Sequence, residues 1–181
     1  NVNSASTGSG TYGFFPFNEG SSDTHANTYN YGFGAKLQFD FTLTDDGQVL
    51  DNKGSKVPIQ FFFSGDDDVW VYIDNELALD VGGAHGKASG LLEFGTNEAG
   101  KLVYTPYVSK VKTGNEQQSY EPCGDANVKK ITYLGNQISF YYKGKGDPKE
   151  IPAGKHTLKF FYMERGMWES NMAIAFNFPD N

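Results

Sequence analysis

Residues 64–74 read Ser-Gly-Asp-Asp-Asp-Val-Trp-Val-Tyr-Ile-Asp, and they concentrate the chain's most suggestive chemistry. Asp66, Asp67 and Asp68 stand between an apolar run (Phe61, Phe62, Phe63) and an alternating one (Val69, Val71, Ile73). Adjacent like charges repel, so a fold either turns them toward water or supplies a cation. Hard oxygen ligands at close spacing suit Ca²⁺. The residues alone leave two readings open, an acidic turn capping a hairpin and a calcium-binding loop. An EF-hand is excluded, because the position where that loop needs Gly is Val71 when counted from Asp66.

Other side chains invite chemistry with less context. His85 lies in Gly82-Gly83-Ala84-His85-Gly86, where it reads as a ligand or base, or as a hydrogen-bonded structural residue. Trp70 and Tyr72 alternate with apolar residues, so one of them faces out, and Trp70 reads as a sugar platform or a half-buried strand residue. Trp168, between Met167 and Glu169, has the setting of a sugar-stacking indole, with core packing as the alternative. Arg165 is expected to pair with a local carboxylate, and Asp74 to be a turn residue rather than a ligand. Cys123, the single cysteine, sits in acidic Glu121-Pro-Cys-Gly-Asp125, which does not favour a reactive thiolate. No Ser-His-Asp or Cys-His arrangement stands out, and the acidic residues cluster in one loop rather than facing each other across a cleft. The reading is a binding protein, not an enzyme.

The elements that must position these residues are strands. From Lys36 the chain alternates, with Leu37, Phe39, Phe41 and Leu43 on one face and Gln38, Asp40, Thr42 and Thr44 on the other. Strands are predicted at 57–63, 69–74, 77–81, from Leu91, over 101–107, 138–142 and 156–163, and from Met172 to Phe178. Residues 69–81 form a hairpin around Asp74-Asn75-Glu76. No sustained helical period occurs, and Gly (22) and aromatics (15%) are abundant. The 181 residues therefore predict one all-β domain, an antiparallel β-sandwich of jelly-roll-like form with long irregular loops. Residues 1–30 read as an irregular arm packed on a domain spanning 31–181, and residues 112–130 as a long inserted loop.

Charge and hydropathy narrow the partners. A net charge of −7 disfavours nucleic acid and anionic membrane surfaces. No apolar stretch is long enough to span a bilayer. One cysteine provides no disulfide framework. Asn1 is not a natural start, so the chain reads as a monomeric module cut from a larger protein.

The block from Phe61 to Asp74, followed by Leu79-Asp-Val-Gly-Gly-Ala-His-Gly86 and Ser89-Gly90, resembles the fibro-slime domain of the PA-fourteen β-sandwich superfamily. Tyr31-Gly-Phe-Gly, Phe39-Asp-Phe-Thr-Leu-Thr44 and Tyr162-Met-Glu-Arg-Gly-Met-Trp-Glu-Ser-Asn171 are similar to the same pattern. The resemblance implies an extracellular module, common in bacterial surface proteins, fungal adhesins and carbohydrate-active enzymes. In its sugar-binding members two adjacent aspartates, joined by a cis peptide, hold a Ca²⁺ that coordinates sugar hydroxyls. Those aspartates would be Asp66 and Asp67, with Asp68 where many relatives have glycine. A second loop would supply Glu164 and the carbonyls of Gly166 and Trp168, with Asn171 an alternative ligand. Trp168, Asp68, His85 and Asn171 are then the candidate sugar contacts.

The resulting expectation is a Ca²⁺-dependent, lectin-like carbohydrate-binding module of a secreted or cell-surface bacterial adhesin, with glycan ends as partners. A stalk or spacer domain rigidified by calcium is the first alternative. An accessory domain of a glycoside hydrolase is the second.

Overall fold

The computed structural model describes residues 4–6, 12–14, 32–65, 68–82, 88–109, 128–133, 136–145, 147–165 and 172–179. Among them every element is a strand. Four strands form one sheet: β3 (Phe33–Leu43), β7 (Asp68–Ile73), β8 (Glu76–Val81) and β14 (Gly154–Glu164), in the order β3-β14-β7-β8. Seven form the other: β6 (Gln60–Gly65), β9 (Ala88–Thr96), β10 (Leu102–Ser109), β11 (Val128–Tyr133), β12 (Asn136–Lys145), β13 (Lys149–Glu150) and β15 (Met172–Phe176). Their order is β11-β12-β10-β9-β6-β15, with β13 paired to β10. Two small ribbons complete the set, β1 (Ser4–Ser6) with β2 (Tyr12–Phe14) and β4 (Gln48–Leu50) with β5 (Lys56–Pro58). All of these pairings are antiparallel.

The sheets pack face to face because their period-two patterns turn apolar rows toward each other. Phe160 of β14 meets Phe61 and Phe63 of β6 at ring separations of 6.1 and 5.7 Å, and Phe41 of β3 meets Phe94 of β9 at 6.0 Å. Val69, Val71, Ile73, Leu158 and Leu92 fill the same buried layer. The fold is thus the expected all-β sandwich. On β6 the run Phe61-Phe62-Phe63 is continuous rather than alternating because both faces are covered. Phe62 lies with buried Leu91 on the side away from the main core.

Gly90 allows a close approach between the sheets. A Cβ there would lie 2.7 Å from Leu79 Cδ2 and 2.9 Å from Val81 Cγ2, so only a residue without a side chain lets β9 approach β8 this tightly.

Two regions differ from the sequence reading. The segment read as an irregular arm holds the β1–β2 ribbon, with Ser4 opposite Phe14. Val128–Lys130, assigned above to the inserted loop, open β11, which pairs with β12 from Val128 opposite Tyr141 to Tyr133 opposite Asn136. The adjacent Lys129 and Lys130 interrupt the apolar alternation there and hide the strand period.

Register also sets one end of the molecule. Gly65 lies opposite both Ala88 and Met172, Asp68 opposite Met163, Val69 opposite Val81, and Glu164 opposite Phe33. The connections between β6 and β7, β8 and β9, and β14 and β15 therefore all join strand ends at the same end of the sandwich. Each crosses from one sheet to the other.

Gly90→Val forces two methyl groups into the Leu79–Val81 contact. We expect a loss of about 2 kcal/mol from overpacking, read as a melting temperature lower by about 5 °C. An unchanged melting temperature would disprove the close-approach role.

Candidate functional site

The outer face of the four-stranded sheet carries the site. On β7, Trp70 and Tyr72 share that face because residues two apart on a strand point the same way. The expectation that only one of them faces out is corrected by this parity. On β14 the outward residues are Lys159, Phe161 and Met163, since His156, Leu158, Phe160 and Tyr162 are buried. Pairing places Phe161 opposite Trp70 on one side and Lys36 on the other, and Lys159 opposite Tyr72 and Gln38. Asp80 and Leu77 of β8 continue these rows beyond Trp70 and Tyr72.

The result is an open depression of about 410 Å³, lined by Trp70, Tyr72, Asn75, Lys159, Phe161 and Met163. Its floor is aromatic, with Tyr72 edge-on to Phe161 at 5.7 Å and 88°. Lys36 Nζ lies over the Phe161 ring, 5.8 Å from its centroid. Lys159 Nζ donates to Asn75 Oδ1 at 2.5 Å. A Cβ on Gly82 would stand 3.2 Å from the Trp70 indole nitrogen, so the Gly82 backbone lies close along that ring. The Gly82 N–H donates to Asp80 Oδ1 at 2.9 Å.

Asn75 reaches the depression through the β7–β8 turn. Asp74 and Asn75 both have positive φ (49° and 72°), as a two-residue hairpin turn of type I′ requires. The turn is one residue shorter than the 74–76 read from sequence, and Asp74 is a turn residue as expected. Its Oδ1 accepts the Thr157 N–H at 2.9 Å, and its Oδ2 lies 2.6 Å from His156 Nδ1. His156 Nε2 lies 2.9 Å from the Pro152 carbonyl, which can only accept, so Nε2 carries a proton. Burial opposes ionisation of Asp74. The Thr157 N–H and His156 outweigh it and hold the carboxyl below its ordinary value of 3.8.

Of the acidic residues singled out by sequence, Asp68 and Glu164 are described, both at strand ends of the crossing end. Asp66, Asp67, His85, Gly166, Trp168, Asn171 and Cys123 lie outside the described residues. Asp68 is described: it is 5% exposed and bound through Oδ2 to Arg165 Nε at 2.7 Å, the carboxylate partner expected for Arg165. Glu164 is 1% exposed, and its Oε2 accepts the Tyr162 hydroxyl at 2.7 Å. Both carboxylates thus engage protein partners, as burial of such groups demands. Glu164 faces the sandwich interior. Met163, opposite Asp68, brings the aromatic depression up to this same end.

Sequence reasoning missed Tyr72, Asn75, Lys159, Phe161 and Met163 as site residues. The outward set of 156–163 was legible as the complement of its apolar set. What it lacked was the identity of the neighbouring strand.

The architecture defines the class as an antiparallel β-sandwich domain with an open aromatic depression on one sheet face. Among known proteins, the chain is similar to several from Dictyostelium discoideum, psiP, psiO and psiC among them. Protein psiP is 40% identical over 87 residues, which is 48% of this chain and 10% of that protein. Protein psiO is 45% identical over 56 residues, 31% of this chain and 6% of that protein. Protein psiC is 43% identical over 63 residues, 35% of this chain and 10% of that protein. The matched stretch spans about a tenth or less of each relative's length. No family model matches, and no solved structure matches. These findings correct the resemblance to the bacterial fibro-slime and PA-fourteen adhesins: the relatives are eukaryotic slime-mould psi proteins. Aromatic alternating strands and acidic turns are shared by unrelated sandwiches for packing reasons, so such motifs do not specify a lineage.

Because the folded-state carboxyl of Asp74 is depressed, its contribution is fully present above the ordinary carboxylate value. It is lost as pH falls through the lower folded value. Asp74→Asn should cost about 1 kcal/mol at neutral pH, discounted because the carboxylate is half-exposed. Thermal melts of both proteins should converge as the medium is acidified below the ordinary value. A gap that stays constant into strong acid would refute the linkage.

Proposed function

We propose that this domain is a glycan-binding module whose contact surface is the outer face of the β3-β14-β7-β8 sheet. The observation that carries this reading is the open depression floored by Trp70, Tyr72 and Phe161. Pyranose rings present flat patches of C–H, which favour aromatic faces, and a rim of hydroxyls, which need donors and acceptors. The Asn75 amide, the Lys159 ammonium and the Tyr72 hydroxyl are polar groups at the same depression, and Asp80 lies beside Trp70. A shallow site of this kind binds weakly, and several copies displayed together would strengthen attachment. Binding rather than turnover, and an extracellular setting, go with this reading.

Calcium enters as part of the same proposal through Asp66 and Asp67, at the end the depression approaches. When bound there it would supply a hard cation able to take sugar hydroxyls. A spacer domain whose loops calcium merely stiffens is the competing reading.

The test is a glycan array followed by calorimetry, with and without a calcium chelator. Trp70→Ala should weaken glycan binding about tenfold, or 1.4 kcal/mol, while thermal melting shows that the variant stays folded. Chelation should weaken binding further in the native protein. If calcium raises the melting temperature and no glycan binds, the spacer reading replaces this one. Glycan binding that survives Trp70→Ala would move the site elsewhere.

A further inference from the structure

We infer that the depression selects acidic sugars, pyranoses carrying a carboxylate or sulfate, over neutral ones. The inference rests on the glycan-binding reading and sharpens it. Two ammonium groups flank one ring of the floor. Lys36 comes from β3, directly opposite Phe161, and stands over its ring. Lys159 comes from β14, two residues before Phe161, and lines the depression itself.

Among the described residues neither cation has a carboxylate partner. Lys159 gives a hydrogen bond to the neutral Asn75 amide, which leaves its charge in place, and an ammonium has three donors. Lys36 has only the ring face. On this sheet face Asp68 is paired with Arg165, whereas Asp40, which accepts the Thr157 hydroxyl at 2.7 Å, and Asp80, which accepts the Gly82 N–H, keep their charge but lie outside the lining. Lys159 is the one charged residue lining the depression, in a chain whose net charge is −7. At physiological salt the screening length is about 8 Å. Distant acidic residues are then muted, while a ligand in contact feels the two lysines.

The combination of floor and charge points to sugar chemistry in particular. A bare phosphate has charge but no apolar face to lay on Trp70, and a neutral pyranose has the face but no charge. An acidic pyranose has both on one ring, so stacking brings its anionic group within reach of Lys36 and Lys159. Carboxylate and sulfate would use the same contacts.

The experiment compares an oligouronate, its methyl ester and a sulfated oligosaccharide by calorimetry on the whole domain. The acid should bind about fivefold tighter than the ester. This ratio should shrink in about 0.5 M salt, where screening falls to about 4 Å. Lys36→Gln and Lys159→Gln should each reduce the ratio toward one, with melting temperatures unchanged. Whether the sulfated sugar or the oligouronate binds better assigns the anion. Equal binding of acid and ester, indifferent to both substitutions yet lost in Trp70→Ala, overturns the charge inference and leaves the glycan reading standing. No binding of any sugar by the native domain overturns both. A polyglutamate that binds as tightly as the oligouronate, and does so equally well in Trp70→Ala, overturns the sugar assignment.

Discussion

Strand β14 lies between β3 and β7, and the antiparallel register of those two pairings governs both faces of the molecule. Its even-numbered residues, from His156 to Glu164, point into the sandwich. Its odd-numbered residues, Lys159, Phe161 and Met163, point out. A slip of one residue against either neighbour would exchange the two sets, sending Phe160 to water and Phe161 into the core. The inter-sheet ring contacts of Phe160 with Phe61 and Phe63 stabilise one register against that slip. The outer aromatic depression follows from the inner packing: burying Phe160 and Leu158 obliges Phe161 and Lys159 to meet Trp70 and Tyr72 outside.

The crossing end shows a second consequence of the same arrangement. Three connections pass between the sheets there, so strand ends that carry carboxylates converge. Glu164 is nearly inaccessible and keeps its place through the Tyr162 hydroxyl, itself buried. Asp68 is held by Arg165. Leaving either carboxylate without a partner would cost several kcal/mol, so these contacts are conditions for closing the end of the sandwich rather than additions to it. The opposite end is tied differently, through the Asp74–His156–Pro152 chain that anchors the β7–β8 turn.

Local likeness to the Dictyostelium proteins and the absence of a matching solved structure leave function to be argued from side chains. Sandwiches support many activities, and the depression, not the fold, gives this one its character. Its apolar floor and two cations are properties of a handful of residues drawn from three strands and a turn.

Much of the scaffold was legible in the amino-acid order. Alternation at 37–43 and 156–162 announced two half-buried strands, because side chains on a strand alternate whatever lies beyond them, and the apolar run at 57–63 announced a third strand. The Asp74-Asn75 turn was readable from residues that tolerate positive φ. Arg165 was readable as a residue in need of a carboxylate. Acidic clustering at 66–68 drew attention to chemistry at a strand end, yet no local rule marked Asp68 as the buried partner of Arg165. Strand β11 was concealed by Lys129 and Lys130. What sequence by itself determined was which residues turn inward and which outward on the cleanly alternating strands, 37–43 and 156–162. Only the tertiary structure decided that Phe161 stands beside Trp70 and Lys36, because strand neighbours are chosen by long-range pairing between segments some 90 and 125 residues away in the chain, and no local pattern encodes that choice.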